Sequence, residues 1–256
     1  MIIIDSYCHI GECRIYDQIV FDSELVSSLS MNRVSAVILA PFPGAPNPVQ
    51  VHDQIANLGI RFPGRVFGLV NANPHTNRDR YHAEAERCVR QLGFVGIVMD
   101  TLGHAVNPNG NDAQTVFELG RELGVPIVVH TGSGAPFGLP SAVLPRARGY
   151  SDVKIVLAHA GAVNYSQEAQ IITRESPNLY LGTSYCRGDD IKSMVTDLGA
   201  NRVMFASDLP ANQAIELSKY RGLSLFQFQQ LQAFSQTATD VFGLQGVPDL
   251  PDIDVS

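Results

Sequence analysis

Short apolar runs alternate with longer amphipathic segments along the chain. The runs predict eight strands, most of them continuously apolar, as is typical of a parallel sheet covered by helices. The predicted strands are Ile2–His9, Val34–Ala40, Val66–Asn71, Val95–Met99, Ile127–His130, Lys154–His159, Asn178–Thr183 and Val203–Ser207. Between them, apolar residues recur every three or four positions, as in amphipathic helices. This alternation predicts either a closed parallel barrel or an open doubly wound sheet.

Polar residues able to do chemistry follow most of the predicted strands. They are Tyr7, His9, Asn71, Asn73, Asp100, His130, His159, Ser184 and Asp208. In a barrel these side chains converge on the face where barrel enzymes keep their active sites, whereas an open sheet would spread them over its width. The sequence therefore predicts a (β/α)8 TIM barrel that forms a single domain over residues 1–256. An extra C-terminal helix is predicted from roughly Leu225 to Phe242.

Composition narrows the functional class. The 256 residues carry a formal charge of −7 and no run of Lys or Arg, which argues against nucleic acid as a partner. The N-terminus has no basic leader and the chain has no long apolar stretch, so no signal peptide or membrane contact is expected. Four cysteines without a CxxC pair are typical of free thiols in a reducing compartment, and a cytoplasmic location is predicted.

Four blocks at strand ends are candidates for chemistry. In the first, Asp5, Tyr7 and His9 alternate along a strand and are expected to point to one side. His130 and His159 each end an apolar run, and Asp208 follows the last one. Alone, each histidine is compatible with a hydrogen-bonded strand end, and Asp208 with a helix N-cap. Four such groups in the same structural place indicate a site.

The order and spacing of these blocks resemble the amidohydrolase superfamily, in the branch of amidohydrolase-related proteins that includes the aminocarboxymuconate-semialdehyde decarboxylase type. That branch opens with Asp-x-His-x-His-x-Gly, matched here by Asp5, His9 and Gly11. Its later blocks are matched in whole or in part by Gly93–Met99, His130–Gly132, His159–Gly161, Ala206–Pro210 and Thr237–Leu244. The resemblance covers essentially the whole chain and implies a barrel enzyme.

The resemblance also implies a role for each of these residues. His9, His130 and Asp208 would bind one divalent metal, usually zinc. Asp208 would also manage protons, and His159 would polarise the substrate or water. A catalytic zinc needs about three protein ligands and an open position, and a nearby carboxylate can take the proton from its water.

Two departures from the family pattern matter. Tyr7 replaces the first histidine of the His-x-His pair, and Val98 stands where the branch usually has lysine, so a two-metal centre is not expected. The remaining ligands are His9, His130 and Asp208. Entry of His159 into the set and a Tyr7 phenolate ligand stay open, as does a barrel that has lost its metal.

The leading functional interpretation is a metal-dependent hydrolase of a small carbonyl compound such as a lactone, cyclic amide or ester. The alternatives are a non-oxidative decarboxylase of a small unsaturated acid, and a metal-free barrel with a binding or assembly role. Tyr7 and Arg187 are the candidates for substrate binding. Homodimers are common in the branch, but no residue fixes the oligomeric state here.

Overall fold

The computed structural model describes residues 1–133 and 137–250, in which the eight predicted strands form a parallel sheet joined by one short antiparallel strand. The strands are β1 (Ile4–Cys13), β2 (Gln18–Val20), β3 (Ala36–Pro41), β4 (Val66–Val70), β5 (Gly96–Met99), β6 (Ile127–His130), β7 (Ile155–Ala158), β8 (Leu179–Gly182) and β9 (Val203–Met204). Each parallel strand begins at most two residues from its predicted start. The last six residues of the predicted 1–256 domain lie outside the described residues.

The parallel strands close into a ring. From β3 to β9 each strand pairs with the next, and β1 pairs with β3. The ring closes where the chain after β9 pairs with β1: the Asp208 amide donates to the Tyr7 carbonyl at 2.9 Å, and the His9 amide donates to the Asp208 carbonyl at 2.9 Å. We call this contact between the two strands the seam. The TIM-barrel prediction is confirmed, with β2 added outside the ring as an antiparallel partner of the end of β1.

Helices alternate with the strands and cover the outside of the ring. They are α1 (Asp22–Met31), α2 (Pro48–Arg61), α3 (Arg78–Glu86), α4 (Asn111–Leu123), α5 (Leu144–Gly149), α6 (Ala162–Glu175), α7 (Gly188–Leu198), α8 (Gln213–Gly222), α9 (Gln227–Leu231) and α10 (Thr237–Phe242). Among the described residues, no helix combines the length and the apolar character that crossing a membrane requires.

Two apolar clusters build the core. One lies between the strands and the surrounding helices, and the other fills the inside of the ring. The inner cluster includes Val98, which is 2% exposed beside Val128 and Val156, so the position of the family lysine is apolar here. Val241 and Phe242 of α10 join the inner cluster at the end where the strands begin. This end of the barrel is therefore filled by apolar side chains.

The predicted C-terminal helix is present but interrupted. A π-helical turn at Gln232–Gln236 separates α9 from α10. Such a turn inserts an extra residue into the helical repeat and rotates the faces on its two sides relative to each other. Phe234 is accordingly buried, whereas Phe228, in α9 before the turn, is 68% exposed.

Asp5 does not point to the side that strict alternation predicts. The register of β1 against β3 shifts between Asp5 and Cys8, which reverses the alternation there. The Asp5 carboxylate accepts hydrogen bonds from the Ser207 amide at 2.9 Å, from the Ser207 hydroxyl, and from Gln213 Nε2 at 2.9 Å. Asp5 therefore fastens the seam to α8 and is not part of the cavity.

Burial raises the pKa of Asp5 to about 6, although its hydrogen bonds work in the opposite direction. Between about pH 4 and 6 the folded chain therefore keeps a proton that the unfolded chain has released, and the stability contributed by this group falls as pH rises through that window. We predict that the unfolding free energy of Asp5→Asn minus that of the wild type increases by about 3 kcal/mol between pH 4 and pH 7. Urea unfolding of both proteins across this range measures the gain, and a constant difference would contradict the assignment.

Candidate functional site

A cavity of about 440 Å³ opens where the parallel strands end. Its floor contains the four predicted groups His9, His130, His159 and Asp208. The other lining residues are Tyr16, Gln18, Phe42, Pro43, Asp100, Leu102, Thr131, Gly132, Ser133, Ala162, Tyr185 and Leu209. The barrel thus brings together side chains that are as far apart in sequence as His9 and Asp208. The chemical roles of these four residues stay predictions.

The His9 ring is held in one orientation. Its Nδ1 lies 3.1 Å from the Pro41 carbonyl oxygen and 3.3 Å from that of Ala40, while Phe42 stacks on the ring at 4.8 Å between centroids. Both partners of Nδ1 are acceptors, so Nδ1 carries the proton. The lone pair is then on Nε2, which lies 3.6 Å from Asp208 Oδ1.

Thr101 fixes the orientation and tautomer of the His130 ring. The Thr101 hydroxyl donates to the His130 carbonyl at 2.8 Å, so its oxygen accepts from His130 Nδ1 at 3.2 Å. Nε2 of His130 is again the nitrogen with the lone pair. Burial lowers the pKa of His130, which keeps the ring neutral and able to act as a ligand or base.

The loops after β6 and β7 are fastened to each other. The Thr131 hydroxyl donates to the Ala158 carbonyl at 2.8 Å and accepts from the Gly161 amide at 2.9 Å. Gly132 and Gly161 have φ angles of +141° and +78°, which favour glycine. His159 itself adopts φ +64°, a conformation that costs a residue with a side chain about 1–3 kcal/mol and tends to occur at functional sites.

The strained backbone directs the His159 ring into the floor of the cavity. Its Nδ1 is 2.8 Å from Ser184 Oγ, its Nε2 is 3.8 Å from Asp208 Oδ1, and its ring centroid is 4.9 Å from that of His130. Burial lowers the pKa of His159 to about 4, against the opposing effect of Asp208. His159 is therefore neutral at physiological pH.

Asp208 is the centre of this group. Its φ is +69°, and its Oδ1 faces the Nε2 atoms of His9 and His159. The hydroxyl of Tyr185 donates to Oδ2 at 2.8 Å. Burial pushes the pKa of Asp208 upward, but the His159 and His9 imidazoles and the Tyr185 hydrogen bond outweigh it and hold the pKa below its usual range. Asp208 is thus a nearly buried carboxylate that the imidazole rings and the Tyr185 hydroxyl surround.

Tyr7 packs below the cavity and does not line it. Its ring is 2% exposed, belongs to the inner apolar cluster, and lies 4.8 Å from the His9 ring and 5.9 Å from the His159 ring. Tyr7 thus contacts the histidines of the floor, and its role in substrate binding stays a prediction. Burial and the Asp100 and Asp208 carboxylates raise the pKa of the phenol, which disfavours a phenolate.

Arg187 is not among the residues that line the cavity, and its role in substrate binding stays a prediction. Tyr185 has a φ of +63°, and the chain turns there so that Arg187 comes directly before α7. The guanidinium is 63% exposed and lies 3.9 Å from an Asp189 oxygen. No Lys or Arg lines the cavity within residues 1–133 and 137–250.

Sequence reasoning assigned no role to the aromatic residues that form the walls. Tyr185 follows β8 by three residues, so its place after a strand end is a signal that could have found it. Phe42 directly follows β3 in the same way. Tyr16 carries no such signal, because it reaches the cavity only through the hairpin between β1 and β2.

The comparisons with known proteins identify the family. The family model described as amidohydrolase matches residues 28–244, most of the chain. The chain belongs to the amidohydrolase family. The altered motif with Tyr7 and His9 precedes the matched residues. No curated protein matches the chain.

Solved structures share the fold at low sequence identity. The 2,6-dihydroxybenzoate decarboxylase from Rhizobium has a TM-score of 0.75 at 15% identity, over 96% of this chain and 100% of that one. The 5-carboxyvanillate decarboxylase from Novosphingobium aromaticivorans, solved with manganese and 4-hydroxy-3-methoxy-5-nitrobenzoic acid, has a TM-score of 0.75 at 15% identity, over 95% and 96%. A TIM-barrel protein from Bordetella bronchiseptica has a TM-score of 0.77 at 13% identity, over 95% and 99%.

The burial of His159 predicts an acid-shifted titration. In the metal-free protein we expect the His159 ring to protonate near pH 4, well below the value of about 6.5 for a free imidazole. Histidine-selective NMR between pH 3.5 and 8 measures this value. Titration of His159 near pH 6.5 would mean that the ring is solvated and not held in the floor.

Proposed function

We propose that this amidohydrolase-family chain is a non-oxidative decarboxylase of a small aromatic or unsaturated acid, and that it uses one divalent cation. The supporting observation is a floor of three imidazoles around the Asp208 carboxylate beneath walls that include Phe42 and Tyr185. A flat ring fits between aromatic walls better than a saturated lactone does. The hydrolase interpretation, which leads on sequence grounds alone, becomes the alternative.

The donor set suits a divalent metal. His9 and His130 have their Nδ1 protons bound by oxygen acceptors, which leaves each Nε2 free to coordinate, as in metal-binding histidines. Asp208 Oδ1 lies 3.6 and 3.8 Å from the Nε2 atoms of His9 and His159. We assign the metal to His9, His130 and Asp208, the set that the family resemblance implies. His159, whose Nε2 also faces Asp208, would take the place of the imidazole missing at Tyr7.

Nitrogen and oxygen donors suit both zinc and manganese. Zinc stays a prediction, and two of the decarboxylases similar in fold were solved with manganese. When bound, the cation supplies positive charge that neutralises and orients the acid group of the substrate, a task for which the described lining offers no Lys or Arg.

The residues of the chain would orient the substrate and move one proton. Phe42 and Tyr185 would contact the flat body of the substrate. The Asp208 carboxylate would take a proton from the substrate and pass it to the carbon that carries the carboxylate. The bond from that carbon to the carboxylate breaks, its electron pair returns to the ring, and carbon dioxide leaves.

The test is a substrate panel with purified protein loaded with manganese or with zinc. Hydroxybenzoic and small unsaturated acids are assayed for carbon dioxide, and lactones, esters and cyclic amides for acid release. We expect carbon dioxide from the first group, dependent on the cation and lost in Asp208→Ala. Acid release alone would establish the hydrolase. Neither product, in a protein that binds no cation, would favour a binding or assembly role.

The strand-end position of His130 predicts that His130→Ala lowers activity far more than His104→Ala. His130 lines the cavity floor, whereas His104 lies beside a different cavity. We expect a loss of about a hundredfold or more for His130→Ala, as for a group that acts directly on the reaction. The kcat/KM of the two variants provides the comparison, and equal losses would remove His130 from the site.

The position of Tyr7 beside His9 predicts that an imidazole at residue 7 would increase the affinity for metal. Restoring an imidazole with Tyr7→His offers a good ligand beside His9, where a neutral phenol is a poor one. We expect the Kd for zinc to fall about tenfold, near 1.4 kcal/mol. Competition with a chelator measures it, and Tyr7→Phe, which removes only the hydroxyl, is the control. An unchanged Kd in Tyr7→His, with tight binding by the wild type, would show that this position is not a lost ligand site.

A further inference from the structure

The Pro41 carbonyl connects the candidate site to a buried polar chain outside it. This oxygen accepts from His9 Nδ1 at 3.1 Å and from Asn71 Nδ2 at 2.8 Å. A carbonyl oxygen has two lone pairs, and both are used here. Asn71 follows β4 and is completely buried, so it bridges the ends of β3 and β4 and orients the peptide group that holds the His9 ring.

Asn71 is held in turn from behind. Its backbone amide donates to Nε2 of His52, a completely buried residue of α2, at 3.1 Å. Since Nε2 accepts, Nδ1 of His52 carries the proton and donates to Glu84 Oε1 at 2.8 Å. Arg87 donates to both oxygens of Glu84 at 2.8 Å. These hydrogen bonds, from Arg87 to Asn71, therefore fix which atom carries each proton.

His52, Glu84 and Cys88 also place ligand-type atoms within 4.8 Å of one another. A cation site at this point is disfavoured on two grounds. Coordination by His52 Nδ1 would require it to lose the proton that it donates to Glu84, and the Arg87 guanidinium lies on the same carboxylate. The cluster is better explained as the fixed end of the hydrogen-bonded chain.

We propose that Asn71 and His52 are positioning residues that set the tautomer and orientation of His9 through the Pro41 carbonyl. Without the Asn71 bond, the Pro41 carbonyl is held less firmly as the acceptor for His9 Nδ1, and the other acceptor, the Ala40 carbonyl, is more distant at 3.3 Å. A fraction of the His9 rings can then carry the proton on Nε2, the atom that faces Asp208. A protonated Nε2 cannot bind a metal. The inference rests on the proposed function only in giving His9 the task of a ligand; the effect on its tautomer is independent of that task.

The test reads the His9 tautomer directly in metal-free protein labelled with ¹⁵N-histidine. At pH 8, two-bond ¹H–¹⁵N spectra report which ring nitrogen carries the proton. We expect pure Nδ1–H for His9 in the wild type and a second, Nε2–H population in Asn71→Leu. The manganese Kd of Asn71→Leu is expected to rise about tenfold, the lower end of the range for residues that orient metal-binding histidines.

Two pairs of variants separate positioning from a general loss of structure. His52→Gln keeps an acceptor for Asn71 and a donor for Glu84, so it should preserve the tautomer of His9, whereas His52→Leu should disturb it as Asn71→Leu does. Thr101→Val removes the partner of His130 Nδ1 and should alter the His130 signals while leaving those of His9 unchanged. If Asn71→Leu does not fold, the two His52 variants decide.

The outcomes are distinct. Pure Nδ1–H in folded Asn71→Leu, or in folded His52→Leu, would overturn the positioning role. Manganese binding that is lost in His52→Gln but retained in Asp208→Ala would also overturn it, because the buried cluster would then be a cation site. If the wild type binds no manganese while the tautomer shifts as expected, the proposed function fails and the positioning inference stands.

Discussion

The seam between β1 and the end of β9 is the contact on which the candidate site depends. The backbone hydrogen bonds of Asp208 with Tyr7 and His9 close the barrel, and the same pairing brings the two ends of the chain into one site. Asp5 strengthens the seam from outside through Ser207 and Gln213. Loss of this register would open the ring and separate the carboxylate from the imidazoles at once, so fold and chemistry share one constraint.

Burial of a carboxylate is costly in free energy, and several neighbours of Asp208 reduce that cost. His9, His130 and His159 form the floor with Asp208. Their Nδ1 atoms are hydrogen-bonded to Pro41, Thr101 and Ser184, respectively. Tyr185 holds the second oxygen of the carboxylate. A divalent cation among the Nε2 atoms would complete this arrangement, because its positive charge would stabilise the buried carboxylate.

The sequence predicted the barrel well because its strands are continuous apolar runs between helices, a pattern that depends little on tertiary detail. His9, His130, His159 and Asp208 could be found because each follows such a run. Other features depend on local deviations from regular geometry. The register shift in β1 turns Asp5 away from the cavity, and the turn at Tyr185 carries Arg187 out of it. The π-helical turn before α10 exposes Phe228, and the hairpin that places Tyr16 at the cavity has no periodic signal.

The most direct test of a metal centre around Asp208 is to count bound manganese by electron paramagnetic resonance during titration of the metal-free protein. The account predicts one ion per chain in the wild type and in Cys88→Ala, and none in Asp208→Ala at the same concentrations. Retention of the ion in Asp208→Ala, together with its loss in Cys88→Ala, would contradict the account, because the metal would then lie in the buried cluster of His52, Glu84 and Cys88.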